Sequence, residues 1–164
     1  METTTYEFER GVTLDVSFDV PQSEILMKAT IPIDSYFAIG FGATMDNTDM
    51  IVWRSKGTET FVDNLFSLDR SVPQTDGTDY LESTVSDSTD GKWKIFETKR
   101  KLDTGNAKDY AISLDRDVVM CYAMRGGGDF RQHSIRDNFI LKIAPPGSEE
   151  SETPVDLVQL KRNP

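Results

Sequence analysis

His133 is the only histidine in this 164-residue chain, so a metal site needing several imidazoles, as many zinc sites do, is not available to it. Met45 is a thioether set between Gly42-Ala43-Thr44 and Asp46-Asn47-Thr48-Asp49, a polar, turn-prone stretch. Met50, by contrast, heads the apolar run Met50-Ile51-Val52-Trp53 and reads as strand core. By residue type alone a methionine is a core gap-filler and a lone loop histidine is solvated, but the neighbours of Met45 do not suggest burial. Gly126-Gly127-Gly128 precedes the histidine and, lacking Cβ atoms, lets backbone approach a ligand closely. It is not a dinucleotide fingerprint, because the spacing, the preceding strand and the following helix are missing. Arg125, Arg131 and Arg136 flank that loop and offer guanidinium forks to anionic oxygens.

Other chemistries find less support. Asp46-Asn47-Thr48-Asp49 and Asp76-Gly77-Thr78-Asp79 lack the alternating ligands and distant Glu of an EF-hand and read as turn chemistry. No nucleophile elbow, HExxH zinc motif or phosphate loop is present, and nothing singles out a carboxylate pair among the 28 acidic residues. Catalysis by this chain alone is not expected.

The elements that must position these residues are strands. Val12 to Val20 alternates apolar and polar side chains strictly, the period of a strand with one buried face. Ile25 to Ile31 follows after the turn Pro21 to Glu24, and the two predict a hairpin. Further strands are predicted at Phe37 to Phe41, Met50 to Arg54, Glu59 to Leu68, Lys92 to Lys99, Tyr110 to Leu114, Val118 to Ala123 and Asn138 to Ile143. Asp76-Gly77, Asp90-Gly91 and Thr104-Gly105 punctuate them as turns. Short, evenly spaced strands without an amphipathic helix predict an all-β antiparallel sandwich, with a barrel as the runner-up. Residues 1–144 form that domain. Residues 145–164, opening with Pro145-Pro146-Gly147-Ser148-Glu149-Glu150, read as an acidic linker or tail, in which Val155 to Leu160 is apolar enough to dock.

Composition bounds the partners. With 37% hydrophobic and 10% aromatic residues the chain is globular, and a net charge of -10 makes nucleic acid and anionic membrane poor partners. No apolar stretch approaches a membrane span, and no basic region followed by an apolar one opens the chain. The lone Cys121 cannot make an intrachain disulfide and reads as a small hydrophobe.

Three segments, in this order, resemble the DOMON family. They are Phe37-Ala38-Ile39-Gly40-Phe41-Gly42 running through Met45 to Trp53, then Phe96 to Met124, then Gly126-Gly127-Gly128-Asp129-Phe130-Arg131-Gln132-His133-Ser134 with the strand after it. The resemblance implies a β-sandwich on the extracellular or another non-cytosolic side of a membrane, used for haem b or for sugar and protein binding. Haem-binding members place a methionine after the glycine-rich strand and a histidine before the last strands, and Met45 and His133 occupy those positions. As an axial pair, thioether and imidazole fill both axial sites of one iron and raise its potential, which implies electron transfer. Phe37, Phe41, Trp53, Met120, Tyr122, Met124 and Phe130 are then candidates to wall the ring, and Arg125, Arg131 and Arg136 to pair with propionates. The implied partner is a redox protein or domain, such as a flavin domain or a membrane cytochrome. The competing expectation is a haem-free module for sugar or protein contacts within a larger complex, with Trp53, Trp93 and Tyr80 as stacking candidates.

Overall fold

The computed structural model describes residues 2–44, 47–67, 74–75, 81–128 and 133–143. Eleven strands are assigned: β1 Thr3–Glu7, β2 Thr13–Asp19, β3 Glu24–Pro32, β4 Ser35–Gly40, β5 Thr48–Lys56, β6 Glu59–Ser67, β7 Gln74–Thr75, β8 Glu82–Asp87, β9 Trp93–Lys101, β10 Val118–Gly126 and β11 Ile135–Leu141. All pairings are antiparallel. They build a five-stranded sheet, β1-β2-β3-β9-β8, and a six-stranded sheet, β11-β10-β4-β5-β6-β7. The all-β sandwich expected from the alternation is the architecture found.

Alternation decides which face meets which. Leu14 and Val16 of β2, Ile25, Met27, Ala29 and Ile31 of β3 and Phe96 of β9 point one way. They meet Phe37 and Ile39 of β4, Ile51 and Trp53 of β5, Met120, Tyr122 and Met124 of β10 and Phe139 and Leu141 of β11. Each large apolar side chain removed from water here contributes roughly 1.5–3 kcal/mol, so these inner faces hold the sheets together. Two polar links cross the same interior: Trp53 Nε1 donates to Thr98 Oγ1 at 3.0 Å, and Tyr122 Oη donates to Glu9 at 2.7 Å.

Sequence and structure part at several places, the unpredicted two-residue strand β7 among them. β1 and β8 are strands that periodicity did not reveal, since Thr-Thr-Thr-Tyr-Glu and Glu-Ser-Thr-Val-Ser-Asp bury little; both are edge strands held by their ladders. The expected strand at Tyr110 to Leu114 is not one. The Tyr110 N–H bonds the Asp49 carboxylate and its carbonyl accepts from Arg100, so two side chains take the groups a ladder would need. The turn at Asp76-Gly77 and the tail 145–164 lie outside the described residues.

Candidate functional site

The central strands β4 and β5 of the six-stranded sheet are buried on both faces. Opposite the sandwich core, Tyr36, Ala38, Met50 and Val52 form a second apolar cluster, with Leu65 and Ala123 packed against it. Register sets this outer face out in rows. Arg54, Tyr36 and Arg125 lie side by side on β5, β4 and β10; the next row is Val52, Ala38, Ala123 and Arg136; the next is Met50, Gly40, Cys121 and Asn138. The middle of the face is therefore made of alanine, glycine and cysteine, low in profile between larger neighbours.

Two loops meet this face from opposite ends. The β4–β5 loop leaves at Gly40 and is tied down over the third row: Asn138 Nδ2 donates to the Ala43 carbonyl at 2.9 Å, and the Cys121 thiol lies 3.8 Å from the Thr44 carbonyl. Thr48 Oγ1 donates to the same Thr44 carbonyl at 2.6 Å. Met45, the next residue along, lies outside the described residues. At the other end the β10–β11 loop returns to the sheet at His133, with the Ser134 N–H and Oγ both donating to the Met124 carbonyl. The rows of Cys121 and Arg125 are four residues apart on one strand, roughly 13 Å, a span that two long side chains can close onto a group held between them.

Electrostatics suit a ligand at His133. Partial burial pushes its pKa down, and Arg136 adds to the shift, so the imidazole is neutral near neutral pH with a lone pair to give. On the outer face of the sheet, Arg54 donates to the Gly128 carbonyl at 3.3 Å and stacks over Phe61 at 4.0 Å, anchoring the start of the histidine loop. Burial lifts the Tyr36 phenol to about 12, against the pull of Arg125, so it stays protonated between two guanidiniums.

The other residues singled out from the sequence fall into three groups. Arg125 and Arg136 stand on the outer face. Phe37, Phe41, Trp53, Met120, Tyr122 and Met124 are packed in the core between the sheets, where Phe41 stacks on Tyr110 and Trp53 on Phe37. Arg131, Phe130 and Tyr80 lie outside the described residues. Tyr36, Ala38, Cys121, Ala123 and Asn138 were missed by sequence reasoning. For β4 the signal was apolar or small residues at both parities, the mark of a strand buried on both faces, whereas Cys121, Ala123 and Asn138 sit on a half-buried face that alternation alone does not single out.

A concavity of about 760 Å³ on the outer face of the five-stranded sheet is of a different kind. Its charged lining residues include Asp15, Lys28, Glu82, Glu97 and Lys99, and Lys99 lies 3.7 Å from Glu82 in an ion pair. It is a solvated polar sheet face. Among the described residues there is no group of three His, Cys, Asp or Glu able to hold a metal ion, and no helix long and apolar enough to cross a membrane.

A family model described as DOMON domain matches residues 9–125. No curated protein sequence matches the chain. Among solved structures, the chain is similar to the cytochrome b domain of pyranose dehydrogenase from Coprinopsis cinerea, at a TM-score of 0.63 and 14% identity, covering 99% of this chain and 98% of that one. It is likewise similar to the cytochrome domain of Myriococcum thermophilum cellobiose dehydrogenase, at a TM-score of 0.58 and 15% identity, covering 96% of each chain.

Proposed function

The chain belongs to the DOMON domain family, and on that premise we propose that it binds one haem b on the outer face of its six-stranded sheet, through Met45 and His133, for electron transfer. The observation that carries this reading is the low row Ala38–Ala123 lying between two loops, one tied down at Thr44 and the other returning at His133. A flat group needs such a floor, and two solved structures of similar fold are cytochrome domains.

The residues present fit the group. His133 is neutral without assistance, as an iron ligand must be. The residue before Met45, Thr44, has its carbonyl bonded by Thr48 Oγ1 with the Cys121 thiol alongside. Ala38, Gly40 and Ala123 carry nothing larger than a methyl, while Val52, Met50 and Leu65 flank them as an apolar border. Arg125 and Arg136, with Arg131 as the third candidate, would pair with carboxylates at the edge of the site. When bound, haem supplies a one-electron couple, and a Met/His axial set holds its potential high and closes both axial positions.

This chain then acts as a carrier and not as a catalyst. Its electrons would pass to or from a redox partner such as a flavin domain or a membrane cytochrome, on the non-cytosolic side of a membrane. The test is the absorption spectrum of the purified protein, oxidised and dithionite-reduced, beside Met45→Ala and His133→Ala. Sharp low-spin reduced bands that turn high-spin or vanish in both variants support the reading. A colourless protein that takes up no added haem overturns it and leaves a sandwich used for sugar or protein contacts.

A further inference from the structure

Arg100 is the most deeply placed charge described in the protein. Its side chain is 0% exposed, and Nη1 donates to Asp49 Oδ2 at 2.9 Å across the gap between the two sheets. Nε and Nη2 donate to the carbonyls of Lys101, Leu102 and Tyr110, so four of the five donors of one planar fork reach four different positions of the chain. Asp49 accepts the Tyr110 N–H on the same oxygen, while its Oδ1 is buried with no hydrogen-bond partner among the described residues.

An arrangement of this kind is a poor device for stability alone. Burying two charges costs several kcal/mol per ion, and well-packed apolar residues of equal volume often do as well or better. An unpartnered carboxylate oxygen adds to that cost. What the pair achieves is placement. Asp49 lies in β5 immediately after the loop that carries Met45, and its carbonyl accepts the Phe41 N–H at 2.9 Å, joining the two ends of that loop. The Phe41 ring lies beneath the Arg100 guanidinium, 5.0 Å from centroid to Cζ, and stacks on Tyr110 at 5.5 Å. One guanidinium therefore holds the residue where the loop leaves β4, the residue where it has rejoined β5, and the segment packed beneath both.

We propose that Arg100 and Asp49 are positioning residues for Met45: the cross-sheet pair fixes both ends of the Met45 loop and so sets how firmly the thioether is presented to the haem iron. This rests on the haem reading above. The pair touches neither iron nor haem and acts only through the loop. Breaking it leaves the floor and His133 in place, so haem is still taken up, but the methionine side is loosened.

The experiment compares the holoprotein with Asp49→Asn, Arg100→Lys and the double variant Asp49→Asn/Arg100→Gln, which leaves no lone buried charge. Haem-to-protein ratio, the methionine-to-iron charge-transfer band and the midpoint potential are read in each, with Met45→Ala as the reference for a lost thioether. The proposal expects haem content unchanged, the band weakened or lost, and the potential shifted down towards that of Met45→Ala. Arg100→Lys should lie between wild type and the double variant, since ammonium keeps the charge and loses the fork. A folded double variant with an intact band and wild-type potential would overturn it. So would failure of all three variants to fold, because the pair would then be a requirement of the sandwich and not of the loop. A wild-type protein that takes up no haem, or whose band survives in Met45→Ala, overturns the haem reading itself, which separates the two failures.

Discussion

Ala38 and Ala123 are register partners on β4 and β10, and their row lies midway along the strands between the loop tied at Thr44 and the loop that returns at His133. On the proposed reading, a side chain larger than methyl at either alanine would stand where the flat cofactor lies. Ala123→Phe is expected to weaken haem uptake by at least about tenfold, or ~1.4 kcal/mol. Because Ala123 is only partly buried, the fold should survive with a loss of about 1–3 kcal/mol or less. Haem titration followed by absorbance, with circular dichroism as the check on folding, reads both. Normal uptake by the folded variant would move the site off this face.

Trp53 separates two roles that the sequence left together. Its indole lies in the core and donates to Thr98 Oγ1 across the sheets, with no share in the outer face. Trp53→Phe should lower stability by about 1–3 kcal/mol through the lost hydrogen bond and lost volume, while the haem spectrum stays as in wild type. Urea unfolding and the reduced spectrum of one preparation test this. A changed spectrum at unchanged stability would restore Trp53 to the ring wall.

The same contrast explains what the sequence could and could not convey. Strict alternation in Val12 to Val20 and Ile25 to Ile31 is dictated by one wet face and one dry face, so β2, β3 and their hairpin were legible residue by residue. Strand β4 has two dry faces, and there periodicity fails: Phe37 and Tyr36 are equally apolar in a string of letters but point to opposite sides of the sheet. Aromatics were therefore offered as ring walls on size, and Phe37, Phe41, Trp53 and Tyr122 lie between the sheets, whereas the proposed site rests on the small side chains of Ala38, Gly40 and Ala123. In the sequence Arg100 is only the middle of the basic run Lys99-Arg100-Lys101. Its burial depends on an acceptor 51 positions away, which no local pattern encodes.

Gly128 ties the histidine loop to the sheet. Its φ is +82°, and a Cβ there would collide with the Ser55 carbonyl and press on Lys56. Its own carbonyl accepts from Arg54 at 3.3 Å. Gly128→Ala must move the backbone of the loop that returns at His133, at a cost of about 1–2 kcal/mol for the left-handed conformation before the collision is counted. The expected result is a weaker or partly high-spin haem complex with near-native stability of the sheets, seen by comparing reduced spectra with thermal unfolding of the apoprotein. An unchanged spectrum would show that the loop absorbs the shift without involving His133.

Asp49 gives the protein an unusual dependence on pH. Burial pushes its carboxyl up to about 6, with Asp109 pushing the same way and the Tyr110 N–H and the Arg100 guanidinium pulling against them. The folded protein thus holds this proton more tightly than the unfolded chain, whose carboxyl titrates near 3.8. A raised folded pKa means stability fully present below the unfolded value and lost as pH rises to the folded one. Asp49 alone therefore makes stability fall by up to about 3 kcal/mol between about pH 4 and pH 6, and flatten above it. Asp90 and Asp115 act in the opposite sense, because hydrogen bonds from Ser88 and Ser113 hold their carboxyls below the ordinary range. The contribution is isolated by difference: urea midpoints of wild type and Asp49→Asn across that range should converge towards the acid end and separate towards neutrality, with the variant relatively more stable there. Parallel curves would mean that Arg100 cancels the burial of the carboxylate in full and that the pair carries no proton-linked cost.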